Sequence, residues 1–188
     1  MGDLAHLTGE PLAIDLVNTQ PAIGDLLTTL GDLRGWLHLQ ADRYPEARHL
    51  AAAEFAGPDL AAVRELRDHI ARALDRARRG TPPQVDDLQA LHQAQRAAPA
   101  VIELTWNGAA VVGSRRRTGP PGARLAAWLA EAAAGLLADP AVTRIRQCEA
   151  ADCVMLFLAG HPRRRWCSPT RCGNRVRVAR HYRRHKPG

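Results

Sequence analysis

The chain has 188 residues, of which 46% are hydrophobic and 24% charged, and its formal net charge is +7. No stretch reaches the roughly 18 uninterrupted apolar residues of a membrane span, because even residues 125–137 are broken by Glu131 and Gly135. Residues 1–12 lack the basic start and apolar run of a secretory signal, so a cytoplasmic chain with reduced thiols is expected.

In chain order, Pro11 suits the start of a helix, and Leu12, Ile14, Leu16 and Val17 follow in a run short enough to serve equally as a strand. Asp32 can cap a short helix through Leu33, Trp36, Leu37 and Leu39, and Pro45 can open another that ends near Gly57. Asp59 is placed to cap the longest helix, in which Leu60, Val63, Leu66, Ile70, Ala73, Leu74 and Ala77 recur at spacings of three and four. Gly80, Pro82 and Pro83 stop it, and a further helix is expected over 85–97. The period then changes. Residues 101–106 and 109–114 flank Asn107 and Gly108, which reads as a β-hairpin closed by a two-residue turn. After a Gly/Pro breaker at 119–122, an Ala/Leu helix with Trp128 runs over 124–138 and ends at Asp139 and Pro140. The expected fold is mainly α with one small β-hairpin, a helical domain over 1–143 leading directly into a small module over 144–188.

All four cysteines lie in that module as two pairs of equal internal spacing, Cys148 with Cys153 and Cys167 with Cys172. Zn²⁺ takes four thiolates tetrahedrally, and two close pairs can grip it from both sides, leaving no open position for catalysis. One structural zinc per chain is therefore expected, supplying folding energy that so short a segment lacks. Disulfides are disfavoured by compartment, and the usual iron–sulfur runs are denser and less symmetric. His161 lies between the pairs as an alternative ligand, although a surface loop position suits it better.

Within the module, Met155, Leu156, Phe157 and Leu158 can form a strand with residues 163–166 as its return, making Trp166 a core residue. Ser168 is a plausible N-cap with Pro169 after it, which puts Cys172 in the opening turn of a last helix. Gly173 would allow backbone N–H groups to approach a thiolate, and Asn174 would bond local backbone. Along that helix Val176, Val178, Ala179 and Tyr182 share one side, expected to pack, while Arg177, Arg180, His181 and Arg184 share the other.

The strings Arg164–Arg165–Trp166–Cys167 and Cys172–Gly173–Asn174–Arg175 resemble the signature of the CGNR zinc-finger family of bacterial proteins. Residues 12–19, with Asp32, Leu33 and Trp36 downstream, look like the start of the ABATE domain that usually precedes this finger. The resemblance implies a treble-clef-like finger and a stress-responsive, nucleoid-associated transcription regulator. One departure is visible: Phe157 and Leu158 lead into Ala159, Gly160, His161 and Pro162, a shorter loop without the acidic residue that family members tend to carry there.

Charge supports a polyanionic partner independently of any family. Residues 144–188 hold twelve Arg and Lys against Glu149 and Asp152, a net +10, whereas the preceding 143 residues net −3. Arg outnumbers Lys 25 to 1 throughout, so clustering carries this argument and arginine content does not. Arg163, Arg164, Arg165, Arg175, Arg177, Arg180 and Arg184 are the candidate contacts to double-stranded DNA, mainly to phosphates. RNA binding, a protein-protein contact and a merely solvated face are the alternatives. In the helical domain Asp15, Asn18 and Thr19, with Trp36 and Trp106 able to line a cavity, are candidates for a small-molecule effector pocket, against the plainer reading of caps and core. No Gly-rich phosphate loop, His-Glu-x-x-His or Gly-x-Ser-x-Gly motif occurs, and only Asp15 with His6 or His92 offers an acid–base pair, so no enzyme is expected. A homodimer stays open, to be indicated by palindromy of a target site.

Overall fold

The computed structural model describes residues 7–184, except for the side chains of Arg180, Arg183 and Arg184. The helical part contains α1 (Leu12–Val17), α2 (Leu30–Gln40), α3 (Pro45–Ala51), α4 (Gly57–Arg78), α5 (Val85–Ala97) and α6 (Pro121–Ala138). Strands β1 (Ala100–Trp106) and β2 (Val111–Arg117) form an antiparallel hairpin between α5 and α6. Beyond α6 come a 3₁₀ turn at Pro140–Arg144, the short antiparallel pair β3 (Ile145–Gln147) and β4 (Leu156–Leu158), a π-type turn at Pro169–Gly173, and α7 (Asn174–Arg184).

Local chemistry sets the helix starts. Thr29 caps α2 by accepting from the Asp32 amide at 3.1 Å, while Asp32 reaches back to the Thr29 amide at 2.8 Å. At α4 the Asp59 carboxylate likewise accepts from the Ala56 amide at 2.8 Å. Both helices thus begin two residues before the expected aspartate caps, since each carboxylate sits one turn inside the helix and bonds backward. Asp59 also sets the approach of α6, because a Cβ at Gly122 would lie 1.9 Å from its Oδ1.

The apolar stripe of α4 packs against α5 and α6, and α1 lies on α4 and α6. Leu33, Trp36, Leu37, Val63, Ile70, Leu74, Leu125 and Leu129 are all at most 1% exposed. Burying a side chain of this size contributes roughly 1.5–3 kcal/mol. One cation is inside this core. Arg67, itself 1% exposed, meets the two Asp25 oxygens at 2.7 Å each and Thr19 Oγ1 at 3.0 Å, so it fastens the loop after α1 to the centre of α4.

The hairpin between α5 and α6 departs from expectation at its turn. Trp106 pairs with Val111, so the loop has four residues, with Gly108 at φ +98°. Asn107 Oδ1 accepts from the amides of Ala109 and Ala110 at 3.0 and 2.9 Å, which stabilises the wider loop. The shift of two residues keeps every side chain on its expected face.

The cysteine-bearing segment shares the core of the helices. Ile145, Met155 and Leu156 belong to the same buried cluster as α1, α4 and α6. Toward β3, β4 is paired by backbone; its opposite edge is closed by side chains. Asn18 donates Nδ2–H to the Leu156 carbonyl at 2.9 Å and accepts the Leu156 amide on Oδ1 at 2.8 Å. Glu10 Oε2 accepts the Leu158 amide at 2.8 Å, and Arg164 Nη1 donates to the Leu158 carbonyl at 3.3 Å. Arg164 Nη2 then meets Glu10 Oε1 at 2.5 Å, closing the set. This edge is therefore unavailable to residues 163–166, which do not form the expected return strand. The return is β3, upstream of Cys148, and the Arg165 carbonyl instead accepts from the Glu149 amide at 3.0 Å.

Replacing Asn18 by Ala would leave the amide and carbonyl of Leu156 unpaired inside the fold. A loss of about 2–4 kcal/mol is expected, measured by denaturant unfolding at saturating zinc. A change under about 0.5 kcal/mol would show that water substitutes for the side chain without cost.

Candidate metal centre and basic face

Cys148 ends the β3 side of its hairpin, its amide donating to the Met155 carbonyl at 2.9 Å. Cys153 therefore sits in the same hairpin loop, returned toward Cys148 by a turn in which Asp152 adopts φ 61°, a left-handed conformation that Asp tolerates better than most residues. The second pair is set by the start of α7. Ser168 caps the turn by accepting from the Arg171 amide at 3.2 Å, with Pro169 following, and this places Cys172 beside Cys167.

The four Sγ atoms all lie within 4.8 Å of one another. Cys167 to Cys172 is 3.6 Å, Cys153 to Cys172 is 3.8 Å and Cys153 to Cys167 is 3.9 Å. Zinc–sulfur bonds of about 2.3 Å in a tetrahedron require sulfur–sulfur edges of about 3.8 Å, so these thiols fit the ion. Burial works against ionisation of Cys148, but N–H groups of Cys167 and Ala150 directed at its sulfur hold the thiol below its usual range. Burial and the neighbouring sulfurs push Cys153 up to about 11, and Cys167 is raised for the same reasons. Four sulfurs at these distances can ionise together only around a cation. They form the site of one structural zinc, with no position left for a reacting water.

A model described as "ABATE: Putative stress-induced transcription regulator" matches residues 10–140, and the CGNR zinc finger model matches residues 144–185. The chain belongs to the ABATE family. No curated protein matches it. In this ABATE chain the finger follows the helical part as the resemblance implied, with one cysteine pair in a hairpin loop and the other at a helix start.

Around the metal the arginines divide by role. Arg164 is engaged within the chain: besides Glu10 and Leu158 it donates to the carbonyls of Trp166 at 3.2 Å and Cys167 at 2.8 Å, and it lies 4.4 Å above the Phe157 ring. Arg163, Arg165, Arg175 and Arg177 are exposed. Arg165 pairs with Glu149 at 2.5 Å, Arg175 donates to the Ala151 carbonyl at 2.9 Å, and Arg177 bonds Asn174 Oδ1. The side chains of Arg180 and Arg184 lie outside the described residues, although their backbone continues α7. Asn174 thus holds a side chain and not the expected backbone. Gly173 gives its amide to the Ser168 carbonyl at 3.1 Å, not to a thiolate, and a Cβ there would touch Trp166 at 3.4 Å. Trp166 and Val176 are half-buried against the cysteine cluster. Val178 and Tyr182, expected to pack, are 53% and 71% exposed, because only the first turn of α7 is tied to the metal.

The candidate effector residues are not gathered around one cavity. Asp15 is buried and bonded to Arg43 at 2.5 Å and to Gln40 at 3.3 Å, and burial pushes its carboxyl up to about 6 despite Arg43. Trp36 is core, 1% exposed, and Trp106 stands at the exposed end of β1. Only Asn18 lines the large cleft, of about 850 Å³, between residues 8–26 and the wall formed by residues 152–175. The pairing of Glu10 with Arg164, which organises this junction, escaped sequence reasoning because the two meet across 154 positions. His92 lines a separate cavity with Leu88 and Leu91, and His6 lies outside the described residues.

Elemental analysis should find about one zinc per chain, and Cys172→Ser should bring the content far below one. Zinc binding must displace protons from the raised thiols, so affinity should fall steeply as pH drops from about 8 toward 6. A pH-independent affinity would remove the thiolates as ligands.

Proposed function

We propose that this ABATE chain is a transcription regulator that binds double-stranded DNA through an arginine surface organised by its structural zinc. The carrying observation is the exposure of Arg163, Arg165, Arg175 and Arg177 around the metal-anchored start of α7, within a segment of net +10. A major groove admits a helix, and guanidinium groups hold phosphate oxygens or a guanine edge in pairs. The intramolecular partners of Arg165 and Arg177 are themselves exposed, so phosphate can replace them at small cost. Arg164 leaves the contact set, because its guanidinium closes the β4 edge. We assign the chain no catalytic step.

A second reading, effector sensing, is favoured by the 850 Å³ cleft. Ile23, Leu26, Val154 and Met155 supply apolar walls, and Arg171 and Arg175 line it beside the metal pair Cys167 and Cys172. An amphipathic anion would suit such a lining and would bridge the N-terminal loop to the finger.

Duplex binding should weaken with salt at a log–log slope near −0.9 per phosphate contacted, and Arg175→Ala with Arg177→Ala should reduce that slope by up to about 2. In-vitro selection should enrich a motif. No affinity for duplex at low salt would favour a protein contact, and preference for single-stranded RNA would point to stacking on the exposed Tyr182.

A further inference from the structure

The β1–β2 hairpin is amphipathic, and nothing among the described residues covers its apolar face. Cross-strand pairing puts Ile102 opposite Arg115, Leu104 opposite Gly113 and Trp106 opposite Val111 on one face. Val101 with Arg116, Glu103 with Ser114 and Thr105 with Val112 form the other, where Arg116 and Glu103 pair at 3.5 Å. Ile102, Leu104, Trp106 and Val111 are 64%, 69%, 66% and 62% exposed. An antiparallel sheet that alternates in this way ordinarily has one face packed and one in water. A two-stranded hairpin on its own is marginal in water, so a bare apolar face leaves this element short of stabilisation.

We infer that this face is the contact surface for a second copy of the chain, the two hairpins packing face to face about a two-fold axis. Charge is compatible with a copy. The two cations on the apolar face, Arg115 and Arg117, share the single carboxylate of Glu131 on α6, and Arg117 also bonds the Ala98 carbonyl at 2.8 Å. One net positive charge is thus left at the base of the face, while Leu104, Trp106 and Val111 toward its tip carry none, so two tips can meet without like-charge repulsion. At Gly113 the Ile102 and Leu104 side chains already lean to within 3.0 and 3.6 Å of where a Cβ would stand, so they close over the strand and make the apolar surface continuous there. Area sets the strength. The four apolar residues expose on the order of 500 Å² per chain, and two faces together remove about 1,000 Å², where specific but weak interfaces begin. A micromolar dimer follows, not an obligate one.

The test is sedimentation equilibrium of the zinc-loaded full chain without nucleic acid, from low-micromolar to sub-millimolar concentration, so it stands apart from the DNA reading. A monomer–dimer equilibrium is expected. Leu104→Ser with Trp106→Ser should weaken it by about 100-fold or more, while Thr105→Ser on the opposite face should leave it unchanged, with circular dichroism and zinc content as in the parent. A wild-type monomer at every concentration overturns the inference, as does a dimer insensitive to the apolar-face variant. Hydrogen exchange in the unmodified chain gives an independent reading: amides of residues 100–117 should gain protection as concentration rises, and concentration-independent exchange there also overturns it.

Discussion

A three-residue strand cannot leave one of its edges unpaired inside a protein, and the way β4 meets that requirement holds the molecule together. The carbonyl and amide groups of Leu156 and Leu158 face away from β3, and each finds a side-chain partner on Asn18, Glu10 or Arg164. An unsatisfied buried backbone group costs about 1–3 kcal/mol, so the three side chains prevent a penalty larger than any single surface contact could offset. They also determine geometry. Asn18 stands at the end of α1 and Glu10 just before it, so the backbone of the finger is registered on the first helix through three directional bonds. Arg164 supplies a fourth bond to β4 from within the finger, and its ion pair with Glu10 locks donor and acceptor together.

This registration explains how so small a metal segment can be precise. Zinc joins the β3–β4 hairpin loop to the turn that starts α7, but four thiolates alone fix only local geometry. The apolar side of β4 is built into the core of the helices, since Leu156 and Met155 share a cluster with α1, α4 and α6. The metal therefore sits between a rigid body and a projecting helix. Past Val176, Arg177, Val178 and Tyr182 of α7 are all exposed, so its direction is inherited from the cysteine centre and not from packing at these positions.

Much of this was legible in the residues, and what was not has definite causes. The metal site was visible because thiolate coordination is local chemistry with a fixed spacing. The α4 helix was visible through its period, with Gly80 and the two prolines marking where it stops. Asp32 and Asp59 misplaced the caps by three residues, because an aspartate at the third helical position bonds the cap amide and resembles a cap from sequence. Asn107 and Gly108 suggested a two-residue turn, but the Asn side chain captured two later amides and widened it. The partners of β4 could not be seen at all: Asn18 meets Leu156 across 138 positions, and nothing local distinguishes an asparagine that caps a helix from one that completes a sheet. Arg164 was hidden by its neighbours, since three consecutive arginines read as one basic cluster although the middle one points inward. The helical wheel of α7 set Val178 and Tyr182 apart from Arg177, yet carried no information about whether anything covers the apolar side.

The two small sheets show opposite treatments of the same problem. At β4 polar side chains close the exposed edge and the faces are buried, so it cannot recruit another strand or surface. At β1–β2 the base is fixed to α6 through Glu131, while the rest stands clear with its apolar face bare. An unintended apolar surface would be expected to carry unpaired charges among its apolar residues, since inward-pointing charge is a usual defence against association. Here the two arginines on that face are both drawn to Glu131 of the body, and the remaining ion pair, Arg116 with Glu103, lies on the opposite face. Charge is thereby held at the base of the hairpin, and the apolar tip formed by Leu104, Trp106 and Val111 is free of it. Because α6 packs directly on α1, the anchor of that surface and the side-chain bolt of the finger rest on adjoining helices, which puts both projections of the molecule on one rigid support.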